Sequence, residues 1–115
     1  MAKDFKVTFW GTRGSLACPG QSTIKYGGNT SCIEIECGDH SLIFDAGTGL
    51  RGLGKKIAQK AQNKAQKLDI FLTHTHLDHI VGIPFFAPLH KADNEINIWA
   101  GHLAPNRNLK EALIC

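Results

Sequence analysis

The segment Leu72 to Gly82 reads LTHTHLDHIVG. It sets His74, His76, Asp78 and His79 within six consecutive residues, using three of the chain's six histidines. Neutral imidazole nitrogen and carboxylate oxygen suit zinc, iron or manganese, and no thiolate takes part. His74 and His76 are two apart on the extended exit of a strand, so their side chains point the same way. Asp78 and His79 open the next element and address the same space from another direction. One catalytic zinc needs about three protein ligands and a water. Four ligand-type side chains therefore suggest two divalent ions side by side, zinc first, with manganese and iron also suited to the donors.

Two ions would bring the pKa of a bridging water to about 7, so that hydroxide exists at neutral pH. The second ion would offset negative charge building on a phosphoryl or carbonyl oxygen. Asp78, binding one ion and hydrogen-bonding that hydroxide, would orient the nucleophile and is the candidate catalytic residue. His40, His90 and His102 stand apart from the cluster and read as surface residues.

Positioning this cluster requires a strand that ends at His74. Leu68 to Thr73 is a short apolar run of that kind. Upstream, Phe5, Val7 and Phe9 alternate with Lys6, Thr8 and Trp10, the period of a strand with one buried face. A Gly-, Ser- and Pro-rich loop covers Gly11 to about Thr30, a length typical of functional or disordered loops. Ile33 and Ile35 alternate with Glu34 and Glu36, Gly38-Asp39 supplies a turn, and Ser41 to Phe44 returns as a hairpin strand. Thr48 is placed to cap a helix in which Leu50, Leu53, Ile57, Ala58 and Ala61 recur at helical spacing, running to about Lys67. Asp78 is placed to cap a short helix that Pro84 ends. Glu95 to Ala100 is a further strand, and a helix begins at Asn108. Strands alternating with helices make an α/β chain, a single domain over residues 1–115 with no internal repeat.

The chain has 43% hydrophobic and 20% charged residues and a formal charge of +3. No apolar run is long enough to span a bilayer, and the N-terminus lacks the pattern of a signal peptide, so a cytoplasmic location is expected. Lys55, Lys56, Lys60, Lys64 and Lys67 read as a solvated helix face, without the aromatic interleaving of a polyanion-binding surface. Cys18, Cys32, Cys37 and Cys115 form no Cys-x-x-Cys pair, which argues against a thiolate zinc site and for free thiols.

The string His74-Thr75-His76-Leu77-Asp78-His79 has the H-x-H-x-D-H form, and the chain resembles the metallo-β-lactamase fold superfamily of metallohydrolases. FWGTRGS (Phe9–Ser15), YGGNTSC (Tyr26–Cys32), FDAGTGLRGLG (Phe44–Gly54) and GIPFFAPL (Gly82–Leu89) narrow the resemblance to the bacterial branch related to ribonuclease Z and cyclic-nucleotide phosphodiesterases. It implies an αββα sandwich, of which this chain holds roughly the first half. It also implies hydrolysis of a small phosphodiester or a nucleic-acid 3′ end. His74 and His76 would hold the first metal, and Asp78 and His79 the second. Asp45 would be a carboxylate steadying the ligands. Asn29 and Arg13 would line the cleft, Arg13 as a phosphate partner.

The family's later half supplies further ligands, among them a bridging aspartate. His90, Asp93 and His102 do not stand in matching contexts here. A half-sandwich would expose an apolar sheet face and favour association, as a homo-oligomer or a domain-swapped assembly. Three alternatives therefore stand open: a phosphodiesterase, a non-catalytic or partner-dependent half-domain, and an iron-dependent oxidoreductase of the same fold. The electron-transfer relatives carry Glu where this chain has His76, which weighs against the third.

Overall fold

The computed structural model describes residues 4–103 and 108–110, without the side chain of His102. The helix expected from Asn108 is helical at Leu109 and Lys110, and its continuation and Cys115 lie outside the described residues. Five strands, β1 (Phe5–Gly11), β2 (Cys32–Cys37), β3 (His40–Phe44), β4 (Lys67–Phe71) and β5 (Glu95–Trp99), form one sheet in the order β1-β2-β3-β4-β5. The hairpin at Gly38-Asp39 makes β2 and β3 antiparallel, and β1 pairs antiparallel with β2 across the long loop. β3, β4 and β5 run parallel, as strands joined by crossovers must. The first crossover carries the helix α1 (Gly49–Ala61), and the second carries the histidine cluster and three short 3-10 turns. Because β3 and β4 are parallel neighbours, the loops leaving them emerge at the same edge of the sheet. That topology brings Asp45 beside the segment after Leu72.

Leu50 and Leu53 of α1 pack with Ile43, Leu68, Ile70, Leu72 and Phe86 into the core on one face of the sheet. Helical spacing foretells the α1 side of this packing. The β1 face was expected the other way round. Phe5 is 67% exposed and Phe9 65% exposed, while Trp10 turns to the core side. Registry explains the inversion. Phe9 pairs with Ile33, Ile33 with Phe44, Phe44 with Phe71 and Phe71 with Trp99, so one apolar row crosses all five strands on the face opposite α1. Phe44 stacks on Phe71, and Phe71 on Trp99, with ring centroids 5.4 and 6.2 Å apart.

The covered face of β2 instead carries Glu34, only 2% exposed. Its Oε1 accepts hydrogen bonds from Trp10 Nε1 at 3.1 Å and Lys56 Nζ at 3.2 Å. A buried carboxylate needs such partners. Lys56 is therefore not part of a solvated face; it turns inward to Glu34 and Glu36. Helix α1 ends at Ala61 and not near Lys67, because Gln62 and Asn63 take left-handed backbone at φ 49° and 66°. A left-handed residue ends a helix. Thr48 occupies the N-cap position, but its hydroxyl accepts the Thr30 N–H and donates to Asn29 Oδ1, away from the helix. Among the described residues no helix is long and apolar enough to cross a membrane.

The result is a mixed five-stranded sheet with its helical layer on one face, which is one sheet and one helical layer of the four-layer arrangement.

Candidate metal centre

Asp45 follows β3 with φ +66°, a region that aspartate tolerates better than most residues. Its backbone N–H donates to Phe71 O at 2.8 Å, which ties the exit of β3 to the exit of β4. The carboxylate then faces the histidine segment. Oδ1 accepts the Thr73 N–H at 2.8 Å, and the Thr73 hydroxyl lies 3.0 Å from Oδ1 and 2.9 Å from Oδ2. The same hydroxyl contacts His74 Nδ1 at 3.0 Å. Asp45 Oδ2 approaches His79 Nδ1 at 3.1 Å, an off-line contact that leaves this buried nitrogen without a directed hydrogen bond.

His74, His76 and Asp78 each present a ligand-type atom, all within 4.8 Å of one another. The rings of His74 and His76 meet edge to face with centroids 4.6 Å apart. Ligands on one zinc at about 2.1 Å lie no more than about 4 Å apart, so the group closes on an ion with a modest side-chain adjustment. The donor set, two imidazoles and a carboxylate, fits a divalent transition metal. His79 lies against the cluster, its ring centroid 4.0 Å from that of His74 and its Nε2 3.2 Å from Asp78 Oδ2. It stands outside the three-residue group, with one nitrogen toward Asp45 and one toward Asp78.

Asp78 does not cap a helix. It sits inside a 3-10 turn, Leu77–His79, whose N-cap residue is His76. Its Oδ2 accepts the backbone N–H of Ser15 at 3.0 Å across 63 positions of sequence. That hydrogen bond, first among the causes, holds the carboxyl below its ordinary value, and the neighbouring His79 and His74 act in the same direction. Ser15 and Thr73 are the site residues that sequence reasoning missed. Thr73 was legible as the last strand residue before His74, whereas nothing in the order of residues links Ser15 to Asp78.

Arg13, expected as a phosphate partner, is exposed in its loop. Its Nε donates to Leu16 O at 2.7 Å, folding the side chain back on its own loop. Asn29 Oδ1 is occupied by the Thr48 hydroxyl at 3.1 Å. His90 is bonded to Pro84 O, Asp93 pairs with Lys91, and His40 is exposed in the hairpin, so none of the three joins the cluster. Cys32 is buried, and desolvation followed by the charges of Glu34 and Asp45 pushes its thiol up to about 12, which makes it a packing residue.

The profile of the Metallo-beta-lactamase superfamily matches residues 26–98, from Tyr26 through β2, the metal-type cluster and β5. The chain belongs to this superfamily. Among curated relatives it is 29% identical over 112 residues to ribonuclease Z of Archaeoglobus fulgidus, covering 94% of this chain and 33% of that protein. It is 31% identical over 84 residues to ribonuclease Z of Picrophilus torridus, covering 73% of this chain and 24% of that protein. The chain thus spans about a third or less of the curated relatives it matches. A Thermotoga maritima crystal structure named for a metallo-beta-lactamase overlaps 73% of this chain and 40% of its own, at 22% identity and a TM-score of 0.43. That overlap adds nothing to the family assignment. Metallo-beta-lactamase proteins typically bind metals, and here the group suited to one is His74, His76 and Asp78.

Proposed function

We propose that this chain carries the first metal-ligand segment of a metal-dependent phosphodiesterase acting on RNA. The observation that carries the reading is the convergence of His74, His76 and Asp78 at the exit of β4. The distant similarity to ribonuclease Z supports RNA as the substrate class. His74, His76 and Asp78 would hold one divalent ion, zinc first among the candidates, while His79 beside Asp78 would serve a second. Bound divalent ions acidify a coordinated water and offset charge on a phosphoryl oxygen.

The chain's own residues set the geometry for that chemistry. Thr73 and Asp45 fix the ring of His74 and hold His79 against the cluster. The Ser15 N–H keeps Asp78 ionised and aimed inward. Asp78 is then available to accept a hydrogen bond from the attacking water and to orient it.

A second reading has its own support in the apolar sheet face, where Phe5, Phe9 and Trp99 are each more than half exposed. On that reading the chain is a partner-dependent module that binds metal and does not turn over alone. Hydrolysis of bis-p-nitrophenyl phosphate with added zinc, manganese or iron(II) tests the choice. The phosphodiesterase reading expects metal-dependent turnover that Asp78→Ala abolishes. Metal binding without turnover selects the module, and turnover retained in Asp78→Ala removes Asp78 from its role.

A further inference from the structure

Between Asp45 and Asp69 the chain contains Arg51, Lys55, Lys56, Lys60, Lys64 and Lys67 and no acidic residue. Folding divides these cations. Lys56 is taken by Glu34 and Glu36, and Lys67 by Glu95. Arg51 and Lys55 are one turn apart on α1, both exposed, and pair with no acidic side chain among the described residues. They line an open groove with Asn29, Thr48 and Phe85. Phe85 is 62% exposed. Sequence alone shows no aromatic residue among these cations; the crossover after the histidine cluster brings one in from another element.

The groove also adjoins the metal-type segment. Arg51 and Phe85 share a hollow with Val81 and Gly82. Gly82 N–H donates to Ala46 O at 2.8 Å, and Ala46 N–H donates to His79 O at 2.8 Å, so groove wall and cluster are one hydrogen-bonded piece of backbone. Two unpaired cations at one-turn spacing beside an exposed ring match what a flexible polyanion with stackable bases requires. Lys60 and Lys64 face a different hollow on the other flank of α1, which also contains Glu34, Glu36 and Asp39. The two flanks therefore differ in net charge.

We infer that the groove formed by Arg51, Lys55 and Phe85 is the track for a single-stranded RNA entering the metal-type cluster. The phosphates lie along the two cations and one base stacks on Phe85. The inference rests on the phosphodiesterase reading for why a strand is present. Its test needs no turnover, so the two can fail separately.

The experiment is fluorescence anisotropy of a labelled single-stranded RNA with the full chain in chelator, over a series of salt concentrations. The double variant Arg51→Glu with Lys55→Glu is expected to lose about tenfold in affinity, and its log–log salt slope should fall by about 1.4, the release expected from two single-strand phosphates. Phe85→Ala is expected to lose about tenfold. The opposite-flank variant Lys60→Glu with Lys64→Glu, which changes net charge equally, should leave the slope unchanged. Equal losses from both double variants, an unchanged slope in the first, or displacement of the RNA by polyglutamate at equal charge would each overturn the assignment.

Discussion

Asp78 takes part in the cluster through a backbone N–H that lies far away in sequence, and this tie has a pH signature. Its carboxyl is held below the ordinary carboxylate value, chiefly by the Ser15 N–H, so the ionised form is favoured by the fold. A depressed pKa contributes stability that is present above the unfolded value and is lost as pH falls through the folded one. Wild type should therefore exceed Asp78→Asn in urea midpoint near neutral pH, and the gap should narrow as the pH falls through the lowered carboxyl pKa. A gap that widens on acidification would contradict the tie. At this scale the ligand-type residues were legible because their spacing is local. Ser15 was not, since it meets Asp78 only after the loop from Gly11 to Thr30 has folded over. Arg13 shows the same limit: the sequence offers a cation in a loop, and only its hydrogen bond to Leu16 O shows it to be a staple of that loop.

The elements that hold the site meet at two closely approaching turns. A Cβ on Gly82 would clash with the backbone carbonyl of Gly47 and crowd Ala46 O, which accepts the Gly82 N–H. Gly82→Ala should therefore destabilise the protein by about 1–3 kcal/mol through enforced overpacking. Gly52→Ala is the matched opposite. Its Cβ would meet the Trp10 ring at an ordinary 3.4 Å on an exposed helix position, so up to about 1 kcal/mol of stabilisation is expected. Denaturant midpoints of the two variants check both, and equal effects would mean that the Gly47–Gly82 approach does not constrain the fold. Helix α1, β1 and β2 were readable from periodicity, β3 from the turn at Gly38-Asp39 and β4 from its short apolar run. Their ends were less so, because the stop at Gln62 depends on a left-handed residue that is not glycine. The use of Thr48 for Thr30 and Asn29 was likewise invisible, since an N-cap residue and a loop clamp look alike in sequence.

Over the whole molecule the two sheet faces differ in a way that alternation alone could not orient. The pattern of β1 and β2 shows that one side is apolar, but not that this side lies opposite α1. Burial of Glu34 between Trp10 and Lys56 settles the matter, because it commits the other row to the open face. Phe5, Phe9 and Trp99 are each more than half exposed there. An apolar patch of this extent drives association. Sedimentation of the 115-residue chain should show concentration-dependent self-association that Phe9→Glu relieves without loss of helix signal. A wild type that stays monomeric at all concentrations would contradict this use of the face.

If His74, His76 and Asp78 form a divalent-metal site, calorimetric titration of metal-free protein with zinc will show it. At least one ion is expected to bind per chain, with binding lost in His76→Ala and in Asp78→Ala while the circular dichroism spectrum stays that of wild type. Substoichiometric binding, or binding that survives both substitutions, would contradict it.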